Sequence, residues 1–244
     1  MADDSSRRPL LKAAIARRLR WRAEVFAPDD PRNRSPALSA LRAWQAARLE
    51  RSFADVLADP TMAPAGRFFL SDLYGDRDYS ARDRDVDRIM PVMVHLLPES
   101  LLAAARDAIE LHALSHAFDL RLVDAMRRRR YQRLDVRRYA EIYRDAGFPR
   151  LRRRQIRLVV AVGQSLDAAV RRHGVYRLLR AARLPAKAAG LSELQSFLER
   201  GFQAFDALGG AGPFLARVER GETEVSRRLF AGHPEPFGAG FGEP

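Results

Sequence analysis

Apolar residues recur at helical spacing along nearly the whole chain, and the densest stretch is Ser100–Met126, SLLAAARDAIELHALSHAFDLRLVDAM. As one helix these roughly 27 residues span about 40 Å at 1.5 Å per residue. Leu102, Ile109, Leu114, Phe118, Leu120 and Val123 leave it no wide polar face, which predicts a buried central strut. Upstream, Pro9–Phe26 carries Leu11, Ala14, Ile15, Leu19 and Val25 as an apolar stripe, with Arg17, Arg18, Arg20 and Arg22 on its other face. The run PDDPRNRSP breaks that helix. Ser35 and Pro36 then read as an N-cap and first helical residue of a second helix, Pro36 to Asp59, whose stripe includes Leu38, Leu41, Trp44, Leu49 and Phe53 and which Pro60 ends. The two helices are expected to form an antiparallel hairpin.

Gly66–Gly75, GRFFLSDLYG, packs Phe68, Phe69, Leu70, Leu73 and Tyr74 into one short helical segment. Each of these side chains gains roughly 1.5 to 3 kcal/mol on full burial, so the segment is expected to plug into the core. Ser80 and Asp83 suggest a capping box at the head of a helix over 81–97 that Pro91 is expected to kink. Beyond the strut, Asp135 is placed to cap a short helix through Tyr139, Ile142 and Tyr143, closed by Gly147. Pro149–His173 is a long helix with Ile156, Val159, Gly163, Leu166 and Val170 on one side; a glycine there costs about 1 kcal/mol relative to alanine, which predicts a close helix contact. Val175–Leu184 forms a shorter helical piece, Ser192 is expected to cap a helix to Leu208, and Pro213 opens a last helix to Phe230. No strand pattern and no internal repeat is visible. The expected fold is all-α, a single-domain bundle of about eight to ten helices around residues 100–126. Residues 9–231 form the helical domain, and 1–8 and the glycine- and proline-rich 232–244 are mobile ends.

Hydrophobic residues make up 47% of the 244, ample for a packed core. The absence of cysteine excludes disulfides, thiolate metal sites and cysteine nucleophiles and fits a reducing compartment. The N-terminus lacks an uninterrupted apolar run, and no stretch reaches the ~18 apolar residues of a membrane span, so a cytoplasmic protein without a transmembrane segment is expected. The formal charge is +12, and all of the excess lies between Arg121 and Arg183, where 19 arginines face five acidic residues.

Phe68-Phe69-Leu70-Ser71-Asp72-Leu73-Tyr74 resembles the signature of the bacterial "FFLEELY motif" proteins, with Ser71 and Asp72 where that signature has two glutamates. The resemblance extends through 78–98, Val160–Val170 and Gly190–Phe205, most of the chain after about residue 40. It implies an all-helical bacterial protein of uncharacterised activity and transfers no catalytic residue.

The remaining chemistry is sparse. His112 and His116 sit four apart on one helix face with Asp119 one turn on, a spacing suited to zinc or a non-haem metal. A zincin is excluded because position 113 is alanine, and a di-iron carboxylate bundle lacks its Glu-x-x-His pairs. Histidines satisfied by hydrogen bonds in a core are the simpler expectation. A globin-like haem pocket lined by Phe68, Phe69 and Tyr74 is a further alternative. Arg150, Arg153, Arg154 and Arg157 fall on one helical stripe able to meet a polyanion, although they also have internal acidic groups to pair with. No nucleophile elbow, phosphate loop or nucleic-acid-binding motif is present. The leading expectation is therefore a non-enzymatic helical protein, with no cofactor, acting through a protein partner or self-association; nucleic acid or an anionic membrane surface is the alternative partner, and a metal or haem site at His112/His116 the other alternative.

Overall fold

The structure, a computed structural model, describes residues 4–73, 80–172 and 174–242. Tyr74, residues 75–79 and His173 lie outside the described residues, as do the side chains on which a Ser80–Asp83 capping box depends. Among the described residues the fold is all-α, without a strand.

The strut is observed as α6 if helices are numbered from the N-terminus: α1 is Asp4–Val25, α2 Pro36–Ser52, α3 Ala54–Ala58, α4 Ala63–Phe68, α5 Ser80–Leu96 and α6 Glu99–Arg129. At 31 residues α6 extends past Met126 through three arginines, whose charges favour a helix C-terminus, and ends at Arg130 in the left-handed conformation. The second half comprises α7 Val136–Ala146, α8 Pro149–Val170, α9 Val175–Ala181, α10 Arg183–Ala188, α11 Ser192–Asp206 and α12 Gly212–Ala231. Caps read from the sequence are in place at two helix starts: Ser35 accepts from the Ala37 amide and Asp135 from the Arg138 amide. Ser192, by contrast, is the first residue of α11 rather than its cap.

One expected pairing is corrected. α1 does not form a hairpin with α2; it lies along α6, with Leu11 and Ile15 packed among Met90, Leu102 and Ile109. Contacts rise together along the two chains, Arg18 to Glu110 and Phe26 to His116, so α1 and α6 run parallel. The connection explains this. A 3-10 turn, Pro31–Arg34, is capped by Asp30 and fastened to α6 through Arg32–Asp124 and Asn33–His116, so that the returning α2 runs down α6, with Arg42 at Asp119 and His116, rather than packing along α1. The expected second helix is also divided, α3 following α2 after a break at Phe53.

α8 runs antiparallel to α6, since Arg121 bonds the Ala146 carbonyl, Gln155 meets Ser115 and Arg172 meets Ser100. Its other side packs on α12 at Gly163, where an added Cβ would lie 2.4 Å from Leu215 Cδ2. The close contact predicted from that glycine is thus present. Phe68 and Phe69 are buried with Phe205 and Phe214, and Phe68 presses on Gly201 of α11, so the aromatic segment does plug the core. Its continuation, Phe69–Leu73, is a π-helical turn, and Asp72 within it is buried against Arg200. The C-terminal segment, read as mobile, seats Phe237 against Trp44 and Tyr139, and residues 4–8 continue α1.

Candidate ligand-binding cavity

A partly open cavity of about 140 Å³ lies where α2, α6, α7, α8 and α12 meet, with α3, α4 and the π-helical turn adding to its wall. Part of its wall is apolar, Leu49, Phe53, Val56, Phe69, Val159 and Phe214, all members of one packed cluster. Leu57, Leu70, Ile156 and Val218 add to it, and three polar groups complete the lining.

The first polar group is built around His116, which is buried on α6. The Asn33 amide donates to the carbonyls of Val25 (3.1 Å) and Ala27 (2.9 Å), which leaves its Oδ1 to accept from His116 Nε2 at 2.6 Å. His116 Nδ1 is then the acceptor for Arg42 Nη2 at 2.7 Å. Both ring nitrogens are committed, and the ring stacks on Phe26 with centroids 3.8 Å apart. Burial, the charge of Arg42 and His112 push the His116 pKa down to about 3, so it is a neutral imidazole near pH 7. Asp119 takes Arg42 Nε at 3.2 Å; burial raises its pKa, opposed by Arg42 and by a hydrogen bond from Gln45. His112 lines the cavity and tilts against Phe26.

His112, His116 and Asp119 thus share a wall, and His116 and Asp119 are joined through Arg42, which bonds both of them. His116 has no nitrogen left for an ion or an axial haem bond unless Asn33 or Arg42 is displaced. Among the described residues no group of three or more His, Asp or Glu side chains is disposed to hold a metal ion.

The second group is Arg48 on α2, which donates from Nη1 and Nη2 to the two oxygens of Glu222 on α12. Burial works against its charge, and Glu222, Tyr139 and Tyr143 outweigh that, so its pKa stands above the ordinary guanidinium value. Beside it the Tyr143 hydroxyl donates to Ser226 Oγ at 3.0 Å.

The third group is Arg152 on α8. Its Nη1 donates to Gln155 Oε1 at 3.2 Å, and Gln155 in turn donates to Ser115. Its guanidinium carbon lies 3.6 Å from the Phe118 ring centroid and 4.6 Å from that of Tyr143. It forms no ion pair among the described residues, and its buried Nε and Nη2 have no hydrogen-bond partner there.

The expected anion-binding stripe is divided by the fold. Arg154 is taken by Glu110, which also holds Arg18 of α1, whereas Arg150, Arg153 and Arg157 are exposed and make no ion pair among the described residues. Other arginines of the basic segment do pair internally, Arg129 with Glu141 and Asp145, Arg171 with Asp167 and Arg183 with Glu199.

Sequence reasoning placed Arg152 in a basic run and missed that it faces inward. The signal was available: Arg152 precedes Ile156 by four and Val159 by seven, the spacing of the buried stripe. Arg48 repeats it, four after Trp44 and seven after Leu41. An arginine on a core stripe needs an anion from elsewhere, and Arg48 has one.

Comparison with curated proteins and with solved structures finds no match. A family model described as "Domain of unknown function (DUF8198)" matches residues 26–236. That span contains every residue lining the cavity and leaves out the whole of α1. The chain belongs to the DUF8198 family.

Proposed function

We propose that this protein binds a small molecule inside its helical bundle and does not transform it. The observation that carries the reading is the cavity itself: a partly open space between helices, lined mostly by apolar side chains with a few fixed polar groups, of the size that accepts a ring-sized molecule in other protein cores. No side chain around it is set up as a nucleophile with a base, and the one buried histidine is bonded through both nitrogens. The likeness of the sequence Phe68–Tyr74 to the FFLEELY signature is compatible with the same reading, since the resemblance transfers no catalytic residue. Among the described residues no helix is long and apolar enough to cross a membrane, and placement in the cytoplasm is part of the proposal. The test is a fragment library of mixed charge screened by ligand-detected NMR against the wild type and a Val159→Trp variant that fills the cavity. Binding that the variant abolishes supports the proposal; no fragment bound by the folded wild type overturns it.

A second reading concerns the surface. Among the described residues Arg150, Arg153 and Arg157 make no ion pair, and Phe148 and Leu151 beside them are 49% and 41% exposed, which favours an anionic membrane surface. Vesicles rich in anionic lipid should then bind the protein, with affinity that falls steeply with salt and is lost when the three arginines become serine. Equal binding to neutral vesicles excludes it. A protein partner has its best support at Leu178 and Leu184, 72% and 77% exposed on α9 and α10; sedimentation velocity of a Leu178→Ser/Leu184→Ser variant tests self-association there.

A further inference from the structure

The charges that line the cavity do not cancel. Arg42, Arg48 and Arg152 face Asp119 and Glu222. Glu222 is consumed by Arg48 in a two-bond pairing, and Asp119 by Arg42. Among the described residues Arg152 makes no ion pair within bonding distance: it has a glutamine, two aromatic rings and the more distant charge of Asp119, already bonded to Arg42, while only 7% of its surface is exposed. Stacking between Phe118 and Tyr143 recovers part of the cost of burying a guanidinium, and less than the loss of its water and counter-charge amounts to. Its Nε and Nη2, without a hydrogen-bond partner among the described residues and closed off as the side chain lies, are the donors that an anion in the cavity engages once the guanidinium turns toward it.

We propose that the cavity is a site for a small organic monocarboxylate, whose carboxylate pairs with Arg152 while its hydrocarbon part lies against Phe69, Val159 and Phe214. The inference rests on the cavity being a ligand site and adds the charge and polarity of the ligand. One positive charge is unmatched, so one negative charge balances it. A planar carboxylate fits the planar fork of a guanidinium. A polyphosphate would need several further donors, and Arg42 and Arg48 are already engaged. The apolar cluster on the same wall gives the remainder of the molecule a dry surface and sets a body no larger than about six to eight carbon atoms.

The experiment uses the full chain with butanoate, hexanoate, octanoate and benzoate, each compared with the neutral alcohol of the same skeleton, by calorimetry and thermal unfolding. At least one carboxylate is expected to bind the wild type tenfold or more tightly than its alcohol and to raise the unfolding temperature. Arg152→Met removes the charge and the donor fork and leaves a shorter, unbranched apolar side chain beside the rings; it is expected to lose that carboxylate tenfold or more and to bind the alcohol as well as the wild type does. If an alcohol binds the wild type as tightly as its carboxylate, the charge assignment fails and the cavity reading stands. If Arg152→Met retains the carboxylate, the assignment to Arg152 fails. If neither series binds, both readings fail. Should Arg152→Met not fold, the wild-type comparison of each acid with its alcohol still decides between these results.

Discussion

Arg48 and Arg152 line the same cavity and are buried to nearly the same degree, 6% and 7% exposed, yet only Arg48 has a carboxylate. Both occupy the core-facing stripe of a long helix, where a charge is least welcome. Arg48 bridges α2 to α12 through Glu222 and belongs to the fold's own balance of charge. Arg152 joins no second helix by an ion pair. The difference separates a buried charge that maintains the structure from one that the structure carries at a cost, and residues kept at such a cost mark functional sites.

The largest effect expected is at Arg48. Arg48→Met strands Glu222, which is 24% exposed, and should lower the unfolding free energy by about 3 kcal/mol in urea titrations. Adding Glu222→Leu should recover more than half of that loss, because an ion pair replaced whole by apolar groups is close to neutral. Failure to recover would mean that Arg48 acts through Tyr139 and Tyr143 instead. Next is the contact that fixes α8 and with it Arg152. Gly163→Val drives a side chain into Leu215 and should cost about 1 to 3 kcal/mol, with weaker ligand binding as α8 shifts. A variant as stable as wild type would show that α8 and α12 are not held at this point.

A pH effect centres on the buried histidine. His116 has a folded pKa of about 3, below the 6.5 of an unfolded histidine, so between these values the unfolded chain binds more protons. Its contribution is complete above pH 6.5 and is lost as the pH falls toward 3, with a slope of up to about 1.4 kcal/mol per pH unit. Asp119, raised by burial, acts with the opposite sign as the pH rises above the ordinary carboxylate range. The difference between wild type and His116→Gln isolates the histidine; parallel stability curves from pH 4 to 6.5 would refute it. The smallest effect is at the surface, where Arg150, Arg153 and Arg157 replaced by serine should each change stability by less than about 0.5 kcal/mol and leave carboxylate binding unchanged.

Much of the fold was legible in the sequence because it depends on local pattern. A helix apolar nearly all round became the axis, Ser35 and Asp135 capped the helices they precede, and the cost of Gly163 pointed to the packing it makes. The path of α1 was not legible. Its stripe suited several partners, and the choice of α6 over α2 is made by Arg32 and Asn33 reaching across to Asp124 and His116. The candidate site was legible in half. The shared face of His112, His116 and Asp119 follows from helical spacing, whereas what each meets depends on helix crossings that bring residues more than seventy positions apart into contact, as Arg42 shows. Arg152 was hidden among like residues; its inward spacing was the clue.

The central distinction is tested most directly by urea unfolding of Arg152→Met with and without the carboxylate that binds the wild type best. The expected result is a variant at least as stable as wild type without ligand, because an unpaired buried charge is gone, and no further stabilisation when the carboxylate is added. A ligand-free loss as large as that of Arg48→Met, together with undiminished stabilisation by the carboxylate, would contradict it and make Arg152 a structural residue like its neighbour.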